Sequence, residues 1–292
     1  MKLSILLLLP LLACNPETLL PKSDHQKTTL ALENGVVATF EAHRNPDGVF
    51  IAEEDIVVPE RSMSDLTQAI GVGSVSRLWR GGVVPYTIDV NVTDKSRISS
   101  AIAEYHAKTS IRFLPRTTQT DYVHFMSGSG CYSSIGRVGG KQNISIQNGS
   151  CLTGNTIHEI GHALGLWHEQ ARPDRDSFVK VNFANVREGY ASQFNKVSAT
   201  SNVQLTPYDF GSIMHYGPFA FSSNSKPTIV KLDGSTVGMG QRTKLSTGDI
   251  AGIAKLYAPA SPSPTPSPRP SPSPSVTPAV PCACSCAPKV GP

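Results

Sequence analysis

The feature that most constrains this chain is the eleven-residue run from His158 to His168, H-E-I-G-H-A-L-G-L-W-H. An α-helix carries residues four apart on one face, so His158 and His162 aim their imidazoles at a common point. Glu159 follows His158 directly, where its carboxylate reaches a water on the same ion without being a ligand. Gly165 takes a left-handed backbone conformation at little steric cost, so it is expected to end the helix and turn the chain. That turn is required because His168 lies six residues beyond His162, on the wrong face of any continuing helix. Three neutral imidazoles with an open fourth position describe a catalytic zinc site, whereas structural zinc sites are closed and rich in cysteine. Two histidines four apart are by themselves only a common helix face; the five fixed positions, glycine included, carry the reading.

A second motif supports it. Residues 211–217 read G-S-I-M-H-Y-G, a turn-prone segment about fifty residues after the histidines. The extended histidine pattern is the metzincin signature, whose companion is a methionine turn. Met214 is therefore expected as an apolar floor beneath the three histidines. With the stretch from Gly165 to Asp176, G-L-W-H-E-Q-A-R-P-D-R-D, these motifs closely resemble the astacin family of zinc endopeptidases. The resemblance begins near Leu78, in L-W-R-G-G-V-V-P-Y-T-I, and ends near Tyr257.

The resemblance implies a set of roles. His158, His162 and His168 match the ligands of one zinc ion per chain, and Glu159 matches the general base. Tyr216 matches a tyrosine that ligates zinc in the resting enzyme and swings away to stabilise the tetrahedral intermediate. Glu169 matches a glutamate that pairs through water with the N-terminus created by activation. The family also carries an aspartate in a short F-x-G-D-type motif that ligates zinc in the latent precursor. The nearest match here is F-I-A-E-E-D-I, making Asp55 the candidate, with Glu54 where glycine is usual. An ordinary exposed acidic segment is the competing reading of those residues.

The termini point to export. Met1-Lys2, an apolar run from Leu3 to Leu12, then Ala13-Cys14 form a secretory signal too short to span a bilayer. L-L-A-C resembles a bacterial lipobox, in which Cys14 is lipidated and anchors an outer-membrane or cell-surface lipoprotein. Leu12 is not the usual residue there, so plain secretion stays open. Cys131 and Cys151 are spaced to clip a loop at the active-site rim by a disulfide in an oxidising compartment, and the astacin pattern has one there. Cys282, Cys284 and Cys286 remain open to metal binding, cross-linking or no role.

The resulting organisation is a signal peptide at 1–13, a propeptide at 14–70, a protease domain at 71–258 and a tail at 259–292. Twelve of the 23 prolines fall in that tail, which excludes helix and sheet ladders and favours extended spacer structure. The core reads as α+β. Alternation from Val84 to Val90 gives a strand, and Ile98, Ile102 and Tyr105 give an amphipathic helix. Short strands follow at Ile111 to Leu114, Tyr122 to Met126 and Asn143 to Gln147, then the zinc helix from Thr156 to Leu164. Ser246 to Asp249 forms a capping box before a last helix. With the resemblance this implies a zincin-like two-lobe domain: a twisted mixed sheet and zinc helix above the metal, irregular loops below. A substrate strand is expected to pair with an edge strand at Asn143 to Gln147.

The chain is thus expected to be a secreted or lipid-anchored zinc endopeptidase made as a latent precursor and acting on proteins or peptides. The alternatives are an inactive zinc-binding adhesion protein and a zinc hydrolase of cell-wall peptides. An inactive relative would be expected to lose a ligand or the base, and all four residues are intact. A net charge of +4 without a basic run gives no sign of nucleic-acid binding.

Overall fold

The computed structural model describes residues 25–31, 37–58, 77–197 and 205–258. The signal peptide, Cys14, the segment expected to contain the activation cleavage, and the proline-rich tail with its three cysteines lie outside these residues.

The strands are β1 (His25–Ala31), β2 (Val37–Arg44), β3 (Phe50–Ala52), β4 (Ile56–Val58), β5 (Val83–Ile88), β6 (Arg112–Pro115), β7 (Tyr122–Met126), β8 (Cys131–Ser133), β9 (Lys141–Ile146), β10 (Val179–Val181) and β11 (Ile229–Lys231). Three helices join them: α1 (Ser96–Lys108), α2 (Thr153–Ala163) and α3 (Thr247–Leu256). Nine strands form one mixed sheet in the order β1-β2-β3-β4-β8-β9-β7-β5-β6, while β10 and β11 pair separately.

The short strand expected at Tyr122 to Met126 forms as β7, with Val123 and Phe125 fully buried and their neighbours not, whereas β5 buries Val84 and Pro85 side by side in place of the alternation expected there. α1 lays Ile98, Ile102 and Tyr105 into the same core. Tyr105 Oη donates to the Ile157 carbonyl at 2.8 Å, fixing α1 against α2. At the end of α2, Trp79 Nε1 donates to the Ala163 carbonyl and Tyr257 Oη to the Leu164 carbonyl. These side chains satisfy carbonyls that a helix terminus leaves without partners. The box at α3 forms as read: Asp249 N donates to Ser246 Oγ and Ser246 N to Asp249 Oδ2, each at 2.9 Å.

Two expectations need correction. Asn143 to Gln147 is not an edge, because β9 is flanked by β7 on one side and β8 on the other. A local pattern reveals a strand but not its neighbours. β8 is the outer strand of the 77–258 part of the sheet, and β4 pairs with it in parallel at Ile56↔Ser133. Val90 falls beyond β5 and is 85% exposed, so the alternation there overran the strand.

The segment before residue 58 adds four strands to the sheet, which its mixed composition did not foretell. Phe50, Ala52, Ile56 and Val58 are buried with Ile135, Trp167, Ala171 and Val197 in a separate apolar cluster. Full burial of a Phe, Ile or Val contributes about 1.5–3 kcal/mol before the entropy of ordering the segment. That contact holds the turn between β3 and β4 over the site described next.

Candidate metal centre and active site

α2 stacks His158 and His162 one turn apart, with their Nε2 atoms 3.1 Å from each other. Gly165 adopts a φ of +105°, and Leu166 N closes the helix end by donating to the Gly161 carbonyl at 3.0 Å. The reversed chain returns His168, whose Nε2 lies 3.3 Å from that of His158.

Each ring is fixed through its other nitrogen. His158 Nδ1 donates to the Ile213 carbonyl and His162 Nδ1 to the Leu166 carbonyl, both at 2.8 Å. His168 Nδ1 donates to Glu53 Oε2 at 3.0 Å. With Nδ1 as the donor, each Nε2 presents a lone pair to the shared point, the outer-shell pattern of metal-ligating histidines.

Asp55 completes the cluster from the β3–β4 turn. Its Oδ2 lies 3.0 Å from His158 Nε2, and its Oδ1 lies 3.2 Å from both His162 Nε2 and His168 Nε2. A tetrahedral zinc ion with ligands near 2.0–2.1 Å would space them about 3.3 Å apart. The donors observed are spaced accordingly, and all four residues are buried. Asp55 Oδ1, Glu159 Oε2 and Tyr216 Oη are buried polar atoms without a hydrogen-bond partner among the described residues. Such orphans cost about 1–3 kcal/mol each, so a cation among them is physically called for. The residues present fit zinc.

The electrostatics agree. Burial raises the Asp55 pKa, but the three imidazoles outweigh it and hold the carboxyl well below its ordinary range. Burial and the Arg242 guanidinium lower His158 to about 3, leaving it in the neutral form a ligand needs. Burial acts downward on His168 too, yet Asp55 and Glu53 hold it up at about 9. That proton is one a divalent ion at the same point would displace.

Met214 is buried with its sulfur against Gly161, between the two histidines of α2, and its turn is fastened from α3. Ser212 Oγ donates to Asp249 Oδ1 at 2.6 Å, Ile213 N to Asp249 Oδ2 at 2.9 Å, and Met214 N to Ser212 Oγ at 3.0 Å. Tyr216 is buried with its ring centroid 4.7 Å from that of His168, and its N–H donates to Gln170 Oε1. Glu169 Oε1 accepts from Asp209 N and Arg172 Nη1, and burial pushes its carboxyl up to about 7. Glu159 is buried in a cleft lined also by Glu54, Asp55, His158, Tyr216 and Arg242. Burial, then Asp55, raise its pKa well above the ordinary value.

Cys131 and Cys151 are joined by a disulfide. The loop it closes is held by Arg97, whose guanidinium donates to the carbonyls of Ile146, Gln147 and Cys151 and to Asn148 Oδ1. Sequence reasoning missed Arg97, Arg242 and Glu53, and read Asp249 only as a helix cap. Glu53 belongs to the acidic run that suggested Asp55, but it acts from a turn with left-handed backbone, which no local pattern revealed.

Residues 72–258 match the family model of the astacin peptidases. The chain is 45% identical over 183 residues to zinc metalloproteinase nas-13 of Caenorhabditis elegans, covering 61% of this chain and 40% of that protein. It is 38% identical over 225 residues to high choriolytic enzyme 1 of Oryzias latipes, covering 74% of this chain and 80% of that protein. The solved structure of that hatching-enzyme zinc protease superposes with a TM-score of 0.60 at 40% identity, covering 65% of this chain and 98% of that one. The chain spans 40%, 61% and 54% of the lengths of the nematode proteins nas-13, nas-4 and nas-6.

Proposed function

The chain belongs to the astacin family of zinc metalloendopeptidases, and on that premise we propose that it is a secreted or lipid-anchored enzyme that hydrolyses peptide bonds in proteins or peptides after release from a self-inhibited precursor. The observation that carries this is the four-donor cluster of His158, His162, His168 and Asp55, with Glu159 beside it in an open cleft.

In this reading the three histidines hold zinc, and Asp55 holds the fourth position in the precursor. A bound zinc ion supplies a water of lowered pKa and polarises a carbonyl. Glu159 takes the proton from the attacking water and passes it to the leaving amine. Departure of Asp55 removes the negative charge that opposes ionisation of Glu159. Tyr216, a buried phenol whose hydroxyl has no hydrogen-bond partner among the described residues, donates to the oxyanion that develops as the carbonyl is attacked. Met214 supports the histidines from below.

Residues 14–70 act as the propeptide, with cleavage between residues 65 and 78. The new N-terminus then approaches Glu169. A substrate strand takes the edge of β8 that β4 covers in the intact chain. A disulfide between Cys131 and Cys151 suits an oxidising compartment, and no helix among the described residues is long and apolar enough to cross a membrane. Lipidation of Cys14 would tether the precursor, and propeptide cleavage would free the protease from that tether. The relatives named above are animal proteins, so the bacterial lipoprotein reading rests on residues 11–14 alone.

The test is digestion of unstructured casein by the full chain, before and after limited proteolysis, with and without a chelator. Chelator-sensitive cleavage that appears after processing is expected. A processed, zinc-loaded chain that leaves casein intact would overturn the reading.

A further inference from the structure

The loop between β2 and β3 reaches residues 128–132, beside the cleft, through Asp47 and Asn45. Asp47 Oδ2 accepts three hydrogen bonds: from Ser129 N at 2.6 Å, Ser129 Oγ at 2.8 Å and Tyr132 Oη at 2.8 Å. Tyr132 is itself buried, so its hydroxyl is a fixed donor. Gly128 makes the space. A Cβ there would lie 2.5 Å from Asp47 Oδ2 and 2.8 Å from both Ser145 Oγ and Tyr132 Oη. The loop is held in shape by Ser145, whose Oγ accepts from Gly128 N at 3.0 Å and donates to the Gly130 carbonyl at 2.6 Å. This is a carboxylate cradle built by the protease domain and filled by the prosegment. Its neighbours Gly130 and Cys131 line the same cleft as His158 and Glu159.

We propose that Gly128, Ser129 and Tyr132 form a subsite for an acidic side chain of the substrate, which Asp47 occupies in the intact chain. The proposal rests on reading residues 14–70 as a removable propeptide. Nothing in the cradle is specific to the prosegment: two of its donors are side-chain hydroxyls and one is the backbone N–H of Ser129, in the loop that leads into β8. Burial raises the Asp47 pKa, but the bonds from Ser129 and Tyr132 together more than reverse it, so the cradle favours the ionised form. Charge-assisted hydrogen bonds are stronger than neutral ones, although solvent at this exposed rim screens part of the gain.

The experiment uses the full chain processed by limited proteolysis and a set of internally quenched peptides. Each peptide carries one Asp, moved position by position through the sequence, with the matching Asn peptide as reference. One position is expected to show a kcat/KM roughly tenfold higher for Asp than for Asn, the size of a screened charge-assisted contact. Tyr132→Phe and Ser129→Ala should each reduce that ratio several-fold. Equal rates for Asp and Asn at every position would overturn the proposal. So would a preference that survives both substitutions, which would assign the acid to Arg242 in the cleft. If no peptide is cut, the protease reading fails separately, and binding decides the cradle. A fluorescent peptide spanning residues 45–58 should then bind the processed chain about tenfold more tightly than its Asp47→Asn counterpart; equal affinity would overturn the cradle.

Discussion

Gly161 and Met214 meet where only a hydrogen fits: a Cβ on Gly161 would lie 2.7 Å from the Met214 sulfur and 3.3 Å from Tyr105 Oη. The glycine between the two histidines of α2 is thus required by the methionine floor rather than by the helix. A helix interior prefers alanine over glycine by about 1 kcal/mol, so the sequence gives up helix propensity to let the floor approach.

That trade is measurable. Overpacking a close-packed site costs about 1–3 kcal/mol. Gly161→Ala is therefore expected to lower stability by about 1 kcal/mol, the overpacking cost less the propensity gain. In a Met214→Ala background the same substitution should become stabilising by about 1 kcal/mol, because only propensity remains. Denaturant unfolding of the four proteins in the cycle checks this, and a Gly161→Ala effect of the same sign in both backgrounds would remove the floor from the explanation.

A second expectation concerns the relay from α3 to His158. Asp249 accepts from Ile213 N, and the Ile213 carbonyl accepts from His158 Nδ1. Asp249→Asn keeps the shape but turns one acceptor into a donor facing donors. Stability should fall by about 1–3 kcal/mol, the cost of leaving a buried polar group unsatisfied. Burial also raises the Asp249 pKa in the folded chain. The folded state then binds its proton more tightly than the unfolded chain. The associated stability is fully present below the ordinary carboxylate pKa and is lost as pH rises through the raised value. Unfolding midpoints measured upward from about pH 4 should decline more steeply in the parent than in Asp249→Asn, which keeps the contributions of Glu159 and Glu169.

The site was legible where chemistry depends on spacing along one element. A helix fixes the relation of His158 to His162, Gly165 announces the turn that returns His168, and the capping box at Ser246 and Asp249 formed as read. What the sequence hid depends on partners distant in the chain. The short strand at Asn143 to Gln147 is legible, but only the folded sheet shows β8 and β7 on the two sides of β9. Glu53 on His168, Asp249 under the methionine turn and Arg97 in the disulfide loop act across separations of 115, 36 and about 50 residues. No local period records such contacts.

For the base, Glu159→Gln should fold and hold zinc as the parent does, because the amide preserves shape while losing basicity. General-base contributions run to roughly a hundredfold to ten-thousandfold, and kcat on casein-derived peptides should fall within that range. Zinc content by mass spectrometry separates loss of base from loss of metal. A fully loaded variant retaining activity within about threefold of the parent would displace Glu159 from the role.

The latch offers the sharpest test, because this chain builds it with strain. Glu53 and Glu54 sit in the β3–β4 turn at φ values of +46° and +73°, where residues with a Cβ are disfavoured. Left-handed backbone costs such a residue about 1–2 kcal/mol, and glycine escapes that cost. The strain is sustained because the turn presents Glu53 to His168 Nδ1 and Asp55 to the three Nε2 atoms together. Glu54, by contrast, is exposed and supplies none of the four clustered donors. Glu54→Gly should therefore relax the turn without removing a metal-facing group. The unprocessed variant should leak less activity than the parent, by roughly five- to tenfold for a gain of about 1 kcal/mol or slightly more. Asp55→Ala should act in the opposite sense, making the uncleaved chain active against peptides. Both are read on protein shown by electrophoresis to be unprocessed. If uncleaved Asp55→Ala is as silent as the uncleaved parent, Asp55 is not the latch, and a Glu54→Gly chain that leaks more than the parent would show that the turn's strain is not what limits closure.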